Sequence, residues 1–413
     1  MKIALLTLGT RGDVQPYAAL GKALKKRGHN VVLSTGKNFQ GMAREYDLEF
    51  ATVEADFQVL INSEEGKAMM KNPLTARKHF RTVVQPMMVN ALASFYEVAV
   101  SADCVLYHVK SLGDYFADQF PQKMIRANVV PAIRATNEFP NPVFSALPLP
   151  GFLNRFTYWL SDLGLSMMNG AVQQFRKKAG LTGGLSKKIK LPEIYGISEC
   201  LLKKPHDFPA NTFFTGFWAD ESPNEISSDV AEFLSNGRKT IVITFGSMPF
   251  ETKFDLKASL LTLSKTLDIN VLVVKGWGFE NFSLGESSSV KMIQSAPFDK
   301  LFPRVHGVVH HGGIGTLSSC LRAGIPSLSC PVIYPMGDQH FWGYRAYQAG
   351  CGVKPIPLKS LNQDLLITNV QELLSSEPTQ LNCKKMAACL ASEDGLEKAI
   401  QIVESQFQND NVA

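Results

Sequence analysis

The short segment HHGGIGT, residues 310–316, combines residue types that suit the binding of a phosphate group. Its glycines let backbone N–H groups approach an anion, and the helix predicted after it adds the partial positive charge of a helix N-terminus. Two histidines and the hydroxyl of Thr316 go beyond a bare phosphate loop, and Asp338-Gln339 follows 22 residues after Thr316. An acid beside an amide suits sugar hydroxyls, so these residues predict a site for a diphosphate that carries a sugar.

A second candidate for chemistry is Asp13, which lies in RGDVQP (11–16) between a predicted strand and a predicted helix. One interpretation is structural, because an Asp just before a helix accepts backbone N–H bonds and suits the helix dipole. The other is functional, because a carboxylate whose pKa is raised by burial or substrate binding can take a proton from a hydroxyl. The residues alone leave both interpretations open.

The elements that must position these residues follow a repeated strand–helix pattern. The apolar run Lys2–Leu8 predicts a strand buried on both faces, and a helix followed by a strand at Asn30–Ser34 completes a βαβ unit. The pattern restarts with strands at Thr240–Phe245, Asn270–Val274 and Val305–His310. We therefore predict an α/β protein with two doubly wound, Rossmann-like domains. Further strands are predicted at Glu49–Val53, Cys104–His108, Met124–Val129, Val290–Ile293 and Ser327–Pro331.

Turn-forming residues between the two patterns predict a linker. We place an N-terminal domain at 1–215, the linker at 216–236, a C-terminal domain at 237–391, and a terminal helix at 392–413 that crosses back to the first domain. A chain of 413 residues is long for a single core, which agrees with two domains.

The composition excludes some classes of function. The formal net charge of +5 is small for 413 residues and Lys and Arg form no basic run, so nucleic-acid binding is not predicted. The seven cysteines show no CxxC and no paired metal-ligand spacing, which favours free thiols in a reducing compartment. No signal peptide and no stretch of membrane-spanning length is recognised, so a cytoplasmic location is expected, with peripheral contact to a membrane left open.

The ordered motifs resemble those of the UDP-glycosyltransferase superfamily, whose members have two domains that face each other across a cleft, the GT-B architecture. The motifs are GTRGDVQPYAALGKAL at 9–24, FGSM at 245–248, KGW at 275–277, APFDKLFPRVHGVVHHGGIGT at 296–316 and GDQHFWGYR at 337–345. Within the superfamily, the chain is most similar to the branch of sterol glucosyltransferases and bacterial antibiotic and macrolide glycosyltransferases.

This resemblance implies an activity. A hexose, with glucose favoured, would move from a nucleotide sugar to a hydroxyl of a lipophilic acceptor such as a sterol or polyketide. The anomeric centre would be inverted without a metal ion. The absence of any Asp-X-Asp sequence agrees with metal independence.

The resemblance also implies roles for individual residues. Asp13 stands at the position of the catalytic base, and His310 is expected to be structural. The diphosphate would be bound by His311, Gly313, Gly315, Thr316 and Ser247, the sugar by Asp338 and Gln339, and the nucleoside by Trp277, Pro297 and Phe298. Without the resemblance, Ser247 is equally a helix N-cap, and Asp338 with Gln339 a hydrogen-bonding device of a loop.

Two departures from the family pattern concern the nucleotide. Ser319 stands where many UDP-glucose users have a glutamate that binds the ribose, and Ser295 stands where a base-stacking tryptophan is common. Some members of the similar branch use dTDP-sugars, so both nucleotides remain open. The resemblance to sterol enzymes favours UDP-glucose as the co-substrate, and no bound cofactor is expected.

No motif explains an aromatic and Met-rich segment in the first domain. Its members are Phe144, Phe152, Phe156, Tyr158, Trp159, Leu160, Met167 and Met168. Packing in a core is the default interpretation of such spacing. The alternatives are a lipophilic acceptor pocket, with Phe144, Phe152 and Trp159 as contacts, or a face that touches a membrane.

Two other classes of function are kept as alternatives. A nucleotide-sugar epimerase or hydrolase of GT-B architecture would need acid–base pairs around the sugar ring, which the RGD and GDQ motifs do not supply. Loss of the paired histidines or of Asp338 and Gln339 would favour a catalytically inactive nucleotide-sugar-binding protein, and both are intact.

Overall fold

The computed structural model shows two α/β domains, each built on a fully parallel sheet with helices on both faces. It describes residues 1–55, 80–182, 189–246, 252–276 and 287–408. The prediction of two doubly wound domains is confirmed.

The N-terminal sheet contains seven strands, which are β1 (Lys2–Leu6), β2 (Asn30–Gly36), β3 (Glu49–Val53), β4 (Cys104–Tyr107), β5 (Met124–Asn128), β6 (Glu193–Tyr195) and β7 (Thr212–Phe214). Their order is β3-β2-β1-β4-β5-β6-β7. Ile3 of the central strand β1 pairs with Val31 of β2 and with Cys104 of β4. Residues 3–6 of β1 are fully buried, because helices cover both faces of a parallel sheet.

The C-terminal sheet contains five strands, which are β8 (Thr240–Thr244), β9 (Asn270–Val274), β10 (Val290–Ile293), β11 (Gly307–His310) and β12 (Ser327–Ser329). Their order is β10-β9-β8-β11-β12, with all pairs parallel. The chain order therefore reverses between β8 and β11 in this sheet, as it does between β1 and β4 in the first. In open α/β sheets, ligands bind beyond the carboxyl ends of the strands at such a reversal.

The helices of the first domain cover its sheet and supply one wall of the space between the domains. They are α1 (Arg11–Lys26), α2 (Gln40–Glu45), α3 (Gln85–Val100), α4 (Asn154–Ser166) and α5 (Asn169–Lys178). The helices that follow are α6 (Ser228–Leu234), α7 (Leu256–Leu267), α8 (Phe298–Leu301), α9 (Ile314–Ala323), α10 (Asp338–Gln348), α11 (Gln363–Ser375), α12 (Glu377–Ala391) and α13 (Gly395–Gln408).

The last helix, α13, belongs to the core of the first domain. Its Ala399, Ile400 and Val403 are buried in one apolar cluster with Leu20 and Leu24 of α1. The ammonium of Lys398 donates a hydrogen bond to the backbone oxygen of Phe214, at 2.8 Å. The end of the described chain thus ties the two domains together.

A second tie joins the segment before α4 to the start of α10. The backbone N–H of Gly337 donates to the oxygen of Val143 at 2.8 Å, and Ser145 lies 3.4 Å from a ring nitrogen of His340. These contacts anchor the loop that carries Asp338 against the first domain.

The cysteines differ from expectation. Cys200, which follows β6, and Cys389, near the end of α12, form a disulfide between the domains, so the prediction that all seven are free thiols is wrong for this pair. The other cysteines, at 104, 320, 330, 351 and 383, are free and buried. A pairing between residues 189 positions apart has no signature in sequence spacing.

Two other expectations need correction, and two strands were missed. The segment 216–236 contains α6, whose Val230 packs with Val242 and Leu272 of the C-terminal domain, so it is not a bare linker. The strands β6 and β7 were not predicted, because three residues are too few to show a period. The helical segment Thr82–Val100, with a mean hydropathy of 1.3, does reach membrane-spanning length by length and composition alone. Six residues of its α3 part are buried, namely Met88, Val89, Ala91, Leu92, Phe95 and Ala99.

Candidate active site

A cleft of about 2030 Å³ lies between the domains. Its walls come from loops at the carboxyl ends of strands in both sheets. Thr10 follows β1, Lys110 follows β4, Gly246 follows β8, His311 follows β11, and Gly337 lies beyond β12. Residues that are 300 positions apart in sequence meet here because parallel strands end at the same edge of a sheet.

Asp13 lies in the first turn of α1, where it is only 6% exposed. Its Oδ2 accepts hydrogen bonds from the backbone N–H and the hydroxyl of Thr10, at 2.8 and 3.2 Å. Thr10 is the N-cap, and Asp13 is the acid three residues later, so the interpretation of Asp13 itself as N-cap is corrected. The other carboxylate oxygen, Oδ1, is not used by the helix.

Lys110 binds that free oxygen. Its Nζ lies 2.6 Å from Asp13 Oδ1, and its side chain is half-exposed. The loop after β4 positions Lys110: its backbone N–H donates to Nδ1 of the buried His108, and Leu112 ends the turn in the left-handed conformation. Sequence reasoning missed Lys110, although its place just after the predicted strand Cys104–His108 is a signal that could have found it.

The charges around Asp13 decide its protonation. Burial by itself would raise the pKa of Asp13, but Lys110, His108 and the hydrogen bonds hold it below its ordinary value. Partial removal from water would lower the pKa of Lys110, but Asp13 and, less strongly, Asp338 hold it above its ordinary value. The pair is therefore an ion pair, and the expected rise in the pKa of Asp13 is not found in the free protein.

His311 lies on the opposite wall, at the start of the α9 turn. Its Nδ1 is buried and has no hydrogen-bond partner within the described parts of the chain. Burial lowers its pKa to about 4, so the imidazole is neutral at pH 7. The residue lines the cleft, and a neutral imidazole carries one ring N–H that can donate a hydrogen bond.

His310 has a different role. It is fully buried, its Nδ1 accepts from the backbone N–H of Gly312 at 3.1 Å, and its Nε2 lies 3.3 Å from the hydroxyl of Ser329. Burial lowers its pKa to about 3. As expected, this histidine supports the loop.

Two positions of the loop require glycine, because a Cβ there would collide with a neighbouring atom. Gly312 has φ +88°, and a Cβ there would lie 2.6 Å from the backbone oxygen of Gln339. A Cβ on Gly313, the N-cap of α9, would lie 2.4 Å from Nε2 of His311. Gly315 and Thr316, in the first turn of α9, also line the cleft. The loop after β11 therefore touches the Asp338-Gln339 turn directly.

Asp338 begins α10, and its Oδ2 accepts a hydrogen bond from the indole N–H of Trp342 at 3.2 Å. Burial raises the pKa of Asp338, Lys110 opposes this rise, and Asp13 adds to it. Asp13, Lys110 and Asp338 are thus close enough to influence one another.

The side-chain oxygen of Gln339 is already used within the protein. Its Oε1 accepts from the backbone N–H groups of Val332 and Ile333, at 2.8 and 3.0 Å, and so supports the loop before α10. The side chain also lines the cleft. Its Nε2 donates no hydrogen bond to another described residue and remains the group able to donate to a sugar hydroxyl.

The predicted nucleoside and diphosphate contacts are only partly covered by the described chain. Pro297 and Phe298 line the cleft at the start of α8, and the ring of Phe298 stacks on Phe302 at 4.5 Å. Ser247 and Trp277 lie outside the described residues. Ser295 and Ser319, which replace the two nucleotide-reading residues of the family, both line the cleft.

The predicted acceptor contacts stay a prediction, and they do not line the cleft. Phe144, Phe152 and Trp159 are not among the residues that line the cleft. Phe152 is 84% exposed and Trp159 55% exposed on the outer surface, so core packing is wrong for them. Ser161, Asp162 and Leu165 of the same helix line the cleft instead. Composition marked a helix that lines the cleft, but only packing shows which of its faces turns inward.

The fold and the site define a two-domain protein of GT-B architecture. Residues 3–113 match the model of the glycosyltransferase family 28 N-terminal domain, and residues 282–404 match that of the erythromycin biosynthesis protein CIII-like C-terminal domain. The chain is 30% identical over 430 aligned positions to a sterol 3-beta-glucosyltransferase of Neosartorya fischeri, covering 98% of this chain and 29% of that protein. It is 28% identical to sterol 3-beta-glucosyltransferase UGT80B1 of Arabidopsis thaliana, covering 97% of this chain and 67% of that protein.

Among solved structures, the glycosyltransferase VinC in complex with dTDP superposes with a TM-score of 0.67 at 14% identity, covering 99% of this chain and all of VinC. These matches confirm the resemblance drawn from the motifs: the chain is similar in sequence to sterol glucosyltransferases and in fold to antibiotic glycosyltransferases of GT-B architecture. It spans less than a third of the fungal relative's length.

The glycine contacts generate a prediction about the loop alone. Gly312→Ala should lower the free energy of unfolding by roughly 1–3 kcal/mol, because Cβ meets a backbone oxygen and φ is positive. Gly315→Ala is the matched control, since open space surrounds its Cβ, and should be neutral or stabilising by up to about 1 kcal/mol. Denaturant unfolding of both variants without ligand measures this. Equal losses in the two variants would contradict the proposed contact.

Proposed function

We propose that the chain transfers a hexose from a nucleoside diphosphate sugar to a hydroxyl of a lipophilic acceptor. One observation carries the proposal: Asp13 and His311, from different domains, line the same cleft. The first is a buried carboxylate held ionised by Lys110, and the second is a neutral imidazole beside a helix N-terminus. A proton acceptor on one wall and an anion site on the other are what glycosyl transfer requires.

The relatives support the substrate classes. Two are named for transfer of glucose to the 3-beta position of a sterol, and one structure of similar fold holds dTDP. Because the chain covers only 29% of the fungal relative, these substrates are part of the proposal. We favour UDP-glucose over a dTDP-sugar, and a sterol-like or polyketide-like alcohol as acceptor.

In the proposed reaction, the acceptor oxygen forms a bond to the anomeric carbon while the bond to the diphosphate breaks. The electron pair of the broken bond goes to the diphosphate, whose growing charge is stabilised by His311 and the N-terminus of α9. The hydroxyl proton goes to Oδ1 of Asp13. Since the pKa of Asp13 is low, the proton moves late, after bond formation has made the hydroxyl strongly acidic.

This arrangement favours inversion. The base and the diphosphate site lie on opposite walls, so the acceptor attacks the face opposite the leaving group. We propose that no metal ion takes part, because the sequence lacks Asp-X-Asp and Asp13 is already paired with the ammonium of Lys110. Transfer should therefore persist in EDTA.

We further propose a cytoplasmic location, where nucleotide sugars are available and where five buried cysteines stay reduced. The Cys200–Cys389 disulfide is the one feature that points to oxidising conditions. Thiol counting on protein isolated under alkylating conditions shows whether Cys200 and Cys389 form a disulfide or two free thiols.

A donor-by-acceptor screen tests the proposed function. UDP- and dTDP-sugars are offered with lipophilic alcohols, and glycoside formation is detected by intact mass. We expect transfer from UDP-glucose. Donor hydrolysis without any glycoside would instead favour the hydrolase alternative, and donor binding without turnover would favour an inactive binding protein.

Within an active donor–acceptor pair, Asp13→Asn should lower kcat by roughly 10²–10⁴-fold, because the base is lost while Asn can still accept the hydrogen bonds from Thr10. Its donor affinity should stay unchanged. His311→Ala should instead weaken donor affinity, roughly tenfold or more. Calorimetric donor titrations and initial rates separate the two effects. A fully active Asp13→Asn enzyme refutes the assignment of the base.

Lys110 should determine the pH dependence of the reaction. Lys110→Met removes the positive charge at Oδ1, so the pKa of Asp13 rises and the acid limb of kcat/KM moves to higher pH by roughly 1 unit or more. Lys110→Arg retains the charge and should leave the limb in place. Lys190→Met, a cleft lysine that is not bonded to Asp13, is the control. An unshifted profile in Lys110→Met would show that Lys110 has only a structural role.

A further inference from the structure

A network of four charged side chains lines the cleft on the side of the N-terminal domain. Its members are Asp114, Arg126, Arg134 and Glu193. Nε of Arg126 donates to Oδ1 of Asp114 at 2.7 Å, and its Nη1 donates to Oε1 of Glu193 at 3.0 Å. Arg134 donates to both oxygens of Glu193, at 3.0 and 2.6 Å. None of the four takes part in the proposed transfer step.

The two inner members of this network are structural. Arg126 of β5 and Glu193 of β6 lie opposite each other in neighbouring strands and are only 6 and 0% exposed. Both oxygens of Glu193 are occupied, since the hydroxyl of Tyr195 also donates to Oε2 at 3.4 Å. The remaining guanidinium nitrogen of Arg126 donates to the backbone oxygen of Ile189 at 3.5 Å. The hydrogen-bonding capacity of this pair is therefore used within the protein.

The two outer members, Arg134 and Asp114, each keep one polar atom free. Nη1 of Arg134 and Oδ2 of Asp114 make no hydrogen bond to any residue that the structure describes. Neither atom is fully buried, and the two side chains are 33 and 27% exposed. Because both residues line the cleft, a ligand there can reach these two atoms.

The loop that holds Asp114 also holds the partner of the candidate base. Lys110, which binds Asp13, lies four residues before Asp114. The turn between them needs Gly113, because a Cβ there would lie 2.5 Å from the ring of Tyr107. The hydroxyl of Tyr107 in turn donates to Oδ1 of Asp114 at 2.6 Å. Four residues span at most about 14 Å, so one acceptor molecule of two or three rings can reach both ends of this loop.

Apolar side chains line the cleft beside these polar groups. Ile133 adjoins Arg134 in sequence, Leu112 lies two residues before Asp114, and Leu165 of α4 lines the same cleft. The lining therefore suits an apolar molecular body that ends in a polar group. A wholly apolar acceptor would remove water from Arg134 and Asp114 without replacing its hydrogen bonds, which weakens binding.

The charges of this wall favour a neutral polar group. The two arginines and the two acids of the network balance, and Lys190 and Asp162, which also line the cleft, carry opposite charges. A charged group of either sign would therefore meet a like charge beside an unlike one. A hydroxyl fits, because it can accept a hydrogen bond from Nη1 of Arg134 and can donate one to Oδ2 of Asp114.

We propose that Arg134 and Asp114 bind a second hydroxyl-bearing end of the acceptor. The preferred acceptors are then alcohols with an apolar body and a hydroxyl at each end, one that reacts and one that positions the molecule. The reacting end rests on the proposed function. Binding of such an alcohol does not, and it can be measured by itself.

Two alcohols of similar shape test the proposal. The first, para-phenylphenol, has one hydroxyl, and the corresponding biphenyl diol has a second hydroxyl at the opposite end. In calorimetric titrations without donor, wild type should bind the diol at least about tenfold more tightly. In transfer assays, kcat/KM should be at least about tenfold higher for the diol, beyond the statistical gain from its two equivalent hydroxyls.

Two conservative variants test the residues. Arg134→Lys keeps the positive charge but loses the free guanidinium nitrogen, and Asp114→Asn keeps one oxygen while a donor replaces the free one. Each should remove most of the preference by raising KM for the diol with little change in kcat. Arg155→Lys is the matched control, since this arginine pairs with Asp207 and is not among the residues that line the cleft. Thermal unfolding checks that the variants fold.

The outcomes separate this proposal from the proposed function. Equal affinity of wild type for the two alcohols overturns it, as does a preference that stays unchanged in either variant. Equal losses for both alcohols would show that the residues are only structural, which also overturns it. A diol that binds more tightly but reacts no faster contradicts the assignment of this site to the acceptor. If wild type transfers sugar to no acceptor at all, the proposed function fails, and the titrations still decide whether the site binds the second hydroxyl.

Discussion

Every candidate residue of this protein depends on one constraint, the docking of two parallel sheets with their carboxyl ends toward a common cleft. Each sheet alone presents only half of a site: Asp13 and Lys110 on one side, His311 and Asp338 on the other. Docking is maintained by α13, which returns to pack on α1, and by the contact between Val143 and Gly337. Reactive groups distant in sequence can therefore meet without any local signal that joins them.

The carboxylate of Asp13 meets two demands at once. One oxygen caps α1 through Thr10, and the other pairs with Lys110. The structural and functional interpretations of Asp13 are thus compatible, because a carboxylate has two oxygens with separate lone pairs. The same bonds keep it ionised in the free protein, so its basicity in a reaction depends on how acidic the acceptor hydroxyl becomes rather than on an elevated pKa.

Much of the architecture was predictable, and the exceptions have physical reasons. Strands such as Asn270–Val274 are apolar throughout and bounded by turns, so their signal is local. The strands β6 and β7 were not predicted, because three residues are too few to show an alternating hydrophobic pattern. For Phe152 and Trp159 the sequence left core packing, an acceptor pocket and a membrane-touching face open, because composition records hydrophobicity but not direction. The hydrogen bonds of Asn154 and Thr157 turn these aromatic residues outward.

The sequence by itself determined the strand–turn–helix at HHGGIGT, the capped start of α1 and the repeated βαβ pattern, because glycine conformations, caps and hydrophobic periods act between near neighbours. Only the tertiary structure decided that Lys110 binds Asp13, that Gln339 supports its own loop, and that Cys200 meets Cys389. These contacts join residues through space. Their energies depend on distance, burial and neighbouring charge, which no spacing along the chain records.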